Sequence, residues 1–307
     1  LVPGFRAELL YTVPKEQQGS WISIAEDPKR RLVVCDQFGS LYRIWPGRGE
    51  KQTMVQRLAT PVGKAHGLLF AFDSLYVVGE GPEGQGLYRL FDTDGDDQFE
   101  KHRLLKAFAV GGEHHAHAVV LGPDNLLYIA IGNHVQVPKD VATDSPFRNY
   151  GADALLPQIP PPSGHAANVP PPGGYILRTD ENGADFTILC AGFRNAYDIA
   201  FNNHRELFAY DSDMEYDSGS SWYRPTRLNH AIPGADFGWR HGSGKWPAYY
   251  ADSFGSVIDI GQGSPAGITF GYGAKFPARY QNAMFLNDWT YGRIRAVHLI
   301  PHGASYR

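Results

Sequence analysis

A pattern of short strands that recurs five times along the 307 residues constrains the fold most strongly. Each copy has a short strand, a turn rich in Asp, Asn or Pro, and a second apolar strand. In the first three copies a third strand ending in Tyr-Arg or Leu-Arg follows. The copies begin near Trp21, Gly67, Ala118, Ala196 and Gly267. Four short strands in a repeat of roughly 40–50 residues are typical of a propeller blade, so the sequence predicts an all-β propeller.

The composition agrees with this prediction and excludes several other classes of protein. The 35 Gly and 22 Pro residues disfavour a helical bundle, whereas the 17 Phe and 17 Tyr suit strands. With 43% hydrophobic residues and a net charge of -4, the chain is neither disordered nor typical of a nucleic-acid-binding domain. No apolar run reaches the roughly 18 residues that a transmembrane helix needs. We expect Cys35 and Cys190 to be buried free thiols, with a disulfide as the less favoured alternative.

We interpret residues 1–307 as one propeller domain with long insertions at about 134–174 and 211–263. Insertions in propellers lie on the face above the central channel, where function is commonly found. Because five complete blades are less usual than six, we expect six blades, with the last one incomplete in this chain. The chain begins Leu1-Val2-Pro3, so we also expect a processed or trimmed product.

Two polar segments stand directly before inner strands, where side chains can converge on the channel. The first, residues 112–117, contains His114, His115 and His117, and a two-residue period puts His115 and His117 on one face. A histidine there could act as a general base, or the segment could be a polar loop. The second segment contains Arg194 and Asn195, which suit a carboxylate and a carbonyl oxygen. Its alternative role is an arginine that bridges two blades.

Two acidic segments are candidate calcium sites. Residues 210–217 hold four carboxylates, an oxygen density that Ca²⁺ prefers, although they could instead be a solvated loop paired with Arg224 and Arg227. Residues 92–100 carry acidic groups at alternating positions without the spacing of an EF-hand. A structural calcium ion there would be held by Asp92, Asp94, Asp96 and Glu100. The alternative is a plain Asp/Gly turn.

Segments 112–133 and 192–239 resemble the soluble quinoprotein glucose/sorbosone dehydrogenase family. Its members are six-bladed, TolB-like propellers that bind pyrroloquinoline quinone (PQQ) and Ca²⁺. The amino-acid sequence of residues 213–215, 222–227 and 244–250 is most similar to the propeller domain of planctomycete-type membrane-bound dehydrogenase domain proteins. The resemblance extends from Pro3 to Gly292, which is nearly the whole chain.

The resemblance implies a role for each matching residue. His114 matches the catalytic base, with His117 in reserve, and Asn133 stands where the family has an Asp that orients the base. The cofactor site would comprise His66, Arg194, Asn195 and, as the nearest cation to a missing lysine, Arg293. The metal site would comprise the backbone carbonyls of Asp213 and Met214, with Asp211 and Glu215 beside them.

The resemblance therefore implies a PQQ- and calcium-dependent dehydrogenase that oxidises a sugar or related alcohol in the periplasm or outside the cell. A c-type cytochrome domain would be its electron acceptor. One alternative is a non-catalytic propeller that binds carbohydrate or a partner domain in a larger secreted protein. Another is a calcium-dependent lactone or ester hydrolase, which we rank last because its calcium needs side-chain carboxylates and Asn at the inner-strand starts.

Overall fold

The computed structural model describes residues 1–47, 52–109, 112–148, 169–212, 214–217, 220–223, 225–241 and 247–307, with 214–217 and 220–223 as backbone only. A short helix, α1, at Lys15–Gln18 precedes the first sheet. Most of the remaining regular structure is antiparallel β-sheet. No helix in these ranges is long and apolar enough to cross a membrane.

The first three sheets are four-stranded meanders in which each strand pairs with the next along the chain. Blade 1 contains β1 (Trp21–Glu26), β2 (Leu32–Asp36), β3 (Leu41–Trp45) and β4 (Met54–Arg57). Blade 2 contains β5 (Gly63–Ala71), β6 (Ser74–Gly81), β7 (Gly84–Phe91) and β8 (Lys101–Ala107). Blade 3 contains β9 (Ala116–Leu121), β10 (Leu127–Ile131), β11 (Gly174–Thr179) and β12 (Thr187–Phe193). The predicted Leu-Tyr-Arg segments form the third strands of blades 1 and 2.

The fourth and fifth sheets depart from the simple meander. Blade 4 contains β13 (Asp198–Phe201), β14 (Leu207–Asp211), β17 (Thr226–His230) and β18 (Ile258–Gly261). A separate hairpin, β15 (Met214–Asp217) and β16 (Ser220–Tyr223), intervenes after β14. Blade 5 contains β19 (Pro265–Phe270), β20 (Met284–Asp288) and β21 (Arg293–Val297), with a 3₁₀ helix at Ala278–Tyr280. A final hairpin contains β22 (Pro301–His302) and β23 (Ser305–Tyr306).

The five sheets are arranged as propeller blades because their first strands are neighbours. β1 packs beside β5, β5 beside β9, β9 beside β13, and β13 beside β19. The predicted all-β propeller is confirmed, but the described residues form five blades instead of six. The chain after β21 forms only the β22–β23 hairpin, so no sixth four-stranded sheet is present in the described ranges.

The second predicted insertion, 211–263, was drawn too wide. It includes β17 and β18, which are the third and fourth strands of blade 4. The inserted β15–β16 hairpin separates β14 from β17, so the strand repeat was hidden in the sequence. The first insertion does fall between β10 and β11, and its residues 149–168 lie outside the described ranges.

Apolar side chains from facing sheets form a buried layer between each pair of neighbouring blades. Between blades 1 and 2, for example, Val33 and Leu41 pack with Leu75 and Val77, all essentially inaccessible to solvent. Both cysteines lie in such layers as free thiols, as predicted. Burial raises the pKa of Cys35 to about 12, so its thiol is unreactive near neutral pH.

Gly67 lets the inner strands of blades 2 and 3 approach closely. A Cβ atom at this position would lie 2.4 Å from the carbonyl oxygen of His117 and 2.9 Å from the backbone nitrogen of Val119. Both obstacles are backbone atoms, which cannot rotate away. The close approach brings His66, next to Gly67, against the start of β9.

Gly67→Ala is expected to lower the free energy of unfolding by about 2 kcal/mol, because the two strands must separate to accept the methyl group. Gly255→Ala is the matched control, since a Cβ there meets nothing within 4 Å. Urea unfolding of the two variants measures the difference. Equal stability of the two variants would show that the β5–β9 contact tolerates expansion.

Candidate functional site

The starts of the inner strands surround a cavity of about 1350 Å³ at the centre of the propeller. Five of the sequence-predicted site residues line it: His66, His114, His117, Arg194 and Asn195. They come from loops and strands of blades 2, 3 and 4. Ligand sites in proteins are typically concave clefts with a few convergent polar groups, so this cavity is the candidate functional site.

His114 and Asn133 form a buried pair on one side of the cavity. The Nδ1 atom of His114 lies 2.6 Å from Oδ1 of Asn133. The amide oxygen can only accept, so His114 carries a proton on Nδ1, and the neutral form of the ring has its lone pair on Nε2. The Nε2 atom lies 3.8 Å from a carboxylate oxygen of Glu113. Asn133 thus fixes the tautomer that a general base requires.

His134, which the sequence analysis did not single out, supports this arrangement. Its ring stacks on that of His114, with centroids 4.3 Å apart. The backbone N–H of His114 donates to Nδ1 of His134 at 3.2 Å. His134 follows Asn133 directly, and this adjacency is the signal that could have identified it.

A second chain of hydrogen bonds joins three residues from neighbouring blades. The Nε2 atom of His117 lies 2.7 Å from Oδ1 of Asn195, and its Nδ1 lies 3.3 Å from Nδ1 of His66. Tyr197 stacks on the His117 ring at 4.6 Å. His66 also lies against His115, so His115 and His117 share a face as the two-residue period predicted.

Burial keeps both His66 and His117 neutral. It lowers the pKa of His117 to about 3, with a further contribution from His66, and the pKa of His66 to about 4, with a further contribution from His115. His117 is only 2% exposed, and both of its ring nitrogens already have partners. We therefore assign it a positioning role in place of the predicted reserve base.

Asp211 holds the turn that carries Arg194 and Asn195 into the cavity. Its carboxylate is fully buried and accepts hydrogen bonds from the backbone nitrogens of Arg194, at 3.1 Å, and Asn195, at 2.8 Å. The guanidinium of Arg227 donates to the same carboxylate at 3.1 Å. Because both oxygens accept these hydrogen bonds, we assign Asp211 a positioning role, and its predicted role as a metal ligand stays a prediction. Arg194 itself donates to Oγ of Ser212 at 3.1 Å.

The other predicted metal ligands fall where the structure does not describe their side chains. Asp213 lies outside the described residues, and Met214 and Glu215 belong to β15, for which only the backbone is described. The channel calcium therefore stays a prediction.

Arg293, the last predicted cofactor residue, does not line the cavity. It lies at the start of β21, where its guanidinium packs over the ring of Tyr291 at 5.0 Å.

The second acidic segment has the geometry expected of a cation-binding loop. One oxygen from each of Asp92, Asp94, Asp96 and Glu100 lies within 4.8 Å of the others. The remaining acid, Asp97, pairs with Lys29 and Arg31, which holds the pKa of its carboxyl well below its usual range. Exposed acidic turns of this kind also occur without a metal, so the structural calcium stays a prediction.

Asp198 is a further ionisable group in the cavity that the sequence analysis assigned no role. Burial raises the pKa of its carboxyl to about 7, although the backbone N–H groups of Ile268 and Ile199 donate to it. It stands at the start of an inner strand, and that position could have identified it.

Among the comparisons with known proteins, only the one with solved structures found similar proteins. No family model and no curated protein matches the chain. It is similar to the PQQ-bound aldose sugar dehydrogenase of Streptomyces coelicolor, with 18% identity and a TM-score of 0.61, covering 93% of this chain and 78% of that chain. It is similar to a putative oxidoreductase (glucose dehydrogenase) of Thermus thermophilus, with 16% identity and a TM-score of 0.64, covering 94% and 81%.

A third similar structure is the calcium structure of a family AA12 carbohydrate-active enzyme from Trichoderma reesei. It has 11% identity and a TM-score of 0.53, covering 90% of this chain and 92% of that chain. At such low identities a shared fold does not transfer an activity. The chain thus has the β-propeller fold of the PQQ-dependent glucose dehydrogenase-like structures.

Proposed function

We propose that this propeller is a PQQ- and calcium-dependent dehydrogenase that oxidises a sugar or related alcohol. The observation that carries the proposal is the His114–Asn133 pair facing the same cavity as Arg194 and Asn195. The pair supplies a base with a defined tautomer, and the Arg-Asn turn supplies donors for the carbonyl and carboxylate oxygens of a quinone.

The residues of the cavity fit a planar quinone with acidic groups. Arg194 would bind a carboxylate, and the side-chain amide of Asn195, which faces the cavity, would donate to a ring oxygen. The quinone of PQQ would supply the acceptor for the hydride that leaves the substrate carbon. Calcium, held by the carbonyls of residues 213 and 214, would draw electron density from the quinone oxygen.

His114 would take the proton of the substrate hydroxyl on Nε2 while Asn133 retains the hydrogen bond from Nδ1. Asn133 cannot stabilise the resulting imidazolium by charge, unlike the aspartate of the related family. The Glu113 carboxylate, 3.8 Å from Nε2, is a group that can do so. It is 68% exposed, so its contribution is screened by solvent.

The remaining parts of the proposal rest on the resemblance between sequences. They are a periplasmic or extracellular location and a c-type cytochrome domain as electron acceptor. The structural calcium at residues 92–100 also belongs here, supported by the clustered carboxylate oxygens.

Titration of the purified protein with PQQ and Ca²⁺, followed by the absorbance of the quinone, is expected to show saturable one-to-one binding and reduction on addition of a sugar. Arg194→Lys should weaken binding about tenfold, because a lysine cannot grip a carboxylate with two parallel hydrogen bonds. Arg293→Lys is the matched control outside the cavity. Absence of PQQ binding in millimolar Ca²⁺ would rule out the dehydrogenase.

One observation favours the non-catalytic alternative. Trp289 lies at the edge of the cavity with 74% of its surface exposed, and exposed aromatic rings suit the apolar faces of sugars. For a carbohydrate-binding propeller, calorimetry would show sugar binding in the absence of PQQ, and that binding would be lost in Trp289→Ala. The dehydrogenase requires both sugar oxidation and quinone binding.

A further inference from the structure

A serine, a histidine and a glutamate form a hydrogen-bonded chain where the final hairpin meets blade 4. The Oγ atom of Ser305, in β23, lies 3.1 Å from Nδ1 of His230. The Nε2 atom of the same ring lies 2.9 Å from a carboxylate oxygen of Glu206. A hydroxyl beside a histidine that is held by a carboxylate is the usual arrangement of an activated nucleophile.

The strand directions place this chain of residues away from the polar end of the cavity. β17 runs from Thr226, which lines the cavity, to His230 at its other end. Four steps along an extended strand separate the two residues by about 13 Å. Glu206 directly precedes β14, whose other end carries Asp211. None of the three residues Ser305, His230 and Glu206 lines the cavity, so they form a separate site.

Two aromatic rings hold the imidazole of His230 in position. Phe208 stacks on it with centroids 5.2 Å apart, and Tyr306 meets it edge-on at 5.4 Å. The ring is only 6% exposed, whereas the Glu206 side chain is 45% exposed and Ser305 is half-buried. The base is therefore fixed by packing, while the hydroxyl can be reached from solvent.

The hairpin fixes Ser305 against this ring. Ser305 pairs with His302 across the turn, and the hydroxyl oxygen of the adjacent Tyr306 accepts a hydrogen bond from Nδ2 of Asn202 at 3.1 Å. The exposed turn residues 303 and 304 directly precede the serine. Their backbone N–H groups donate to no backbone acceptor within the described ranges, so they are free to bind an oxygen that becomes negative.

The direction of the two hydrogen bonds follows from the chemistry of the partners. A carboxylate can only accept, so Nε2 of His230 carries a proton, and the neutral form of the ring has its lone pair on Nδ1. That lone pair accepts the hydrogen bond of the Ser305 hydroxyl. Nδ1 is thus placed to take the hydroxyl proton when the oxygen attacks an electrophile.

We propose that Ser305 is a nucleophile and that this site hydrolyses carboxylic esters. Oγ of Ser305 attacks the ester carbonyl carbon, its proton passes to Nδ1 of His230, and the ester C–O bond breaks as that proton passes to the leaving alcohol. Water then attacks the acyl-serine, and its proton returns to Oγ through His230 as the carboxylic acid leaves. Glu206 is a positioning residue whose charge stabilises the imidazolium.

The nucleophile is tested with diisopropyl fluorophosphate, which phosphorylates activated serines with loss of fluoride, followed by mass spectrometry of the peptides. We expect one label per chain, at Ser305, and none in Ser305→Ala. Ser256→Ala is the matched control, because the Ser256 hydroxyl donates to Asp259 at 2.7 Å without a histidine. Its labelling should equal that of the unaltered protein. No label at Ser305, or equal labelling of both serines, overturns the proposal.

The partners are tested by the rate of labelling. His230→Gln should lower it by about 10²–10⁴-fold, the usual contribution of a general base. Glu206→Gln keeps an acceptor for Nε2 but removes the charge, so a loss of about tenfold is expected. Urea unfolding of each variant shows whether it is folded, and Glu206→Gln, at a part-exposed side chain, should keep the unaltered midpoint. A labelling rate unchanged in folded Glu206→Gln overturns its positioning role.

The reaction is tested by hydrolysis of p-nitrophenyl acetate, followed by the absorbance of nitrophenolate. Turnover should be lost in Ser305→Ala and retained in Ser256→Ala. Turnover that persists in Ser305→Ala overturns the hydrolase. PQQ binding should be the same in both variants, because neither serine lines the cavity.

Discussion

His114→Gln is expected to lower the rate of sugar-dependent quinone reduction by about 10²–10⁴-fold, the usual contribution of a general base. PQQ binding should be unchanged, because His114 contacts Asn133 and His134 and is not among the residues proposed to grip the cofactor. A glutamine has no basic nitrogen to take the hydroxyl proton. Single-turnover reduction of bound PQQ, followed by absorbance, measures the chemical step apart from product release.

Asn133→Asp provides a more selective test of the same pair. A carboxylate 2.6 Å from Nδ1 would stabilise the imidazolium and raise the pKa of His114. The base would then be protonated at a higher pH, so the acid limb of the pH-rate profile should shift to higher pH. His204→Gln, in an exposed turn of blade 4, is the control and should leave the profile unchanged. If His114→Gln retains full activity, the base lies elsewhere, and Asp198 is the next candidate.

The positions of the channel residues could be predicted because they depend on local sequence and on the geometry of the fold. A polar segment that directly precedes an inner strand must face the channel in any propeller. His114 and Arg194 satisfy that condition, and they line one cavity together with His66, which lies within β5 and was named from the family resemblance. The bounds of the second insertion were harder, since the β15–β16 hairpin interrupts the strand repeat within blade 4. The sixth blade was expected from the usual blade number of propellers, whereas the strand repeat itself indicated the five that are observed.

The partners of buried polar groups could not be predicted, because they come from distant parts of the chain. His117 has the same local pattern as His114, and only its contacts with His66 and Asn195 show that it is enclosed. Asp211 belongs to an acidic run that resembles a calcium loop. Its role follows from backbone donors 16 and 17 residues earlier, which no spacing rule identifies.

Asp211→Ala is expected to lower the free energy of unfolding by about 3–5 kcal/mol, because removal of one partner of a buried ion pair is strongly destabilising. Arg227 is 8% exposed and would lose its carboxylate, and the backbone N–H groups of Arg194 and Asn195 would lose their acceptor. Asp259→Ala, at an exposed carboxylate, should change stability by less than about 0.5 kcal/mol.

The measurement that separates a positioning role from a metal-binding role is urea unfolding of the Asp211→Ala protein with Ca²⁺ and with a chelator. A positioning residue makes its contribution through Arg227 and the turn, so the loss should be the same in both conditions. A calcium ligand would instead show its loss chiefly in the presence of the metal, because bound ligand stabilises the folded state by mass action. Arg227→Met combined with Asp211→Ala should recover part of the stability, since both members of the buried ion pair are then removed together. A loss confined to the calcium-containing samples would return Asp211 to the metal site and leave the turn to be held by other contacts.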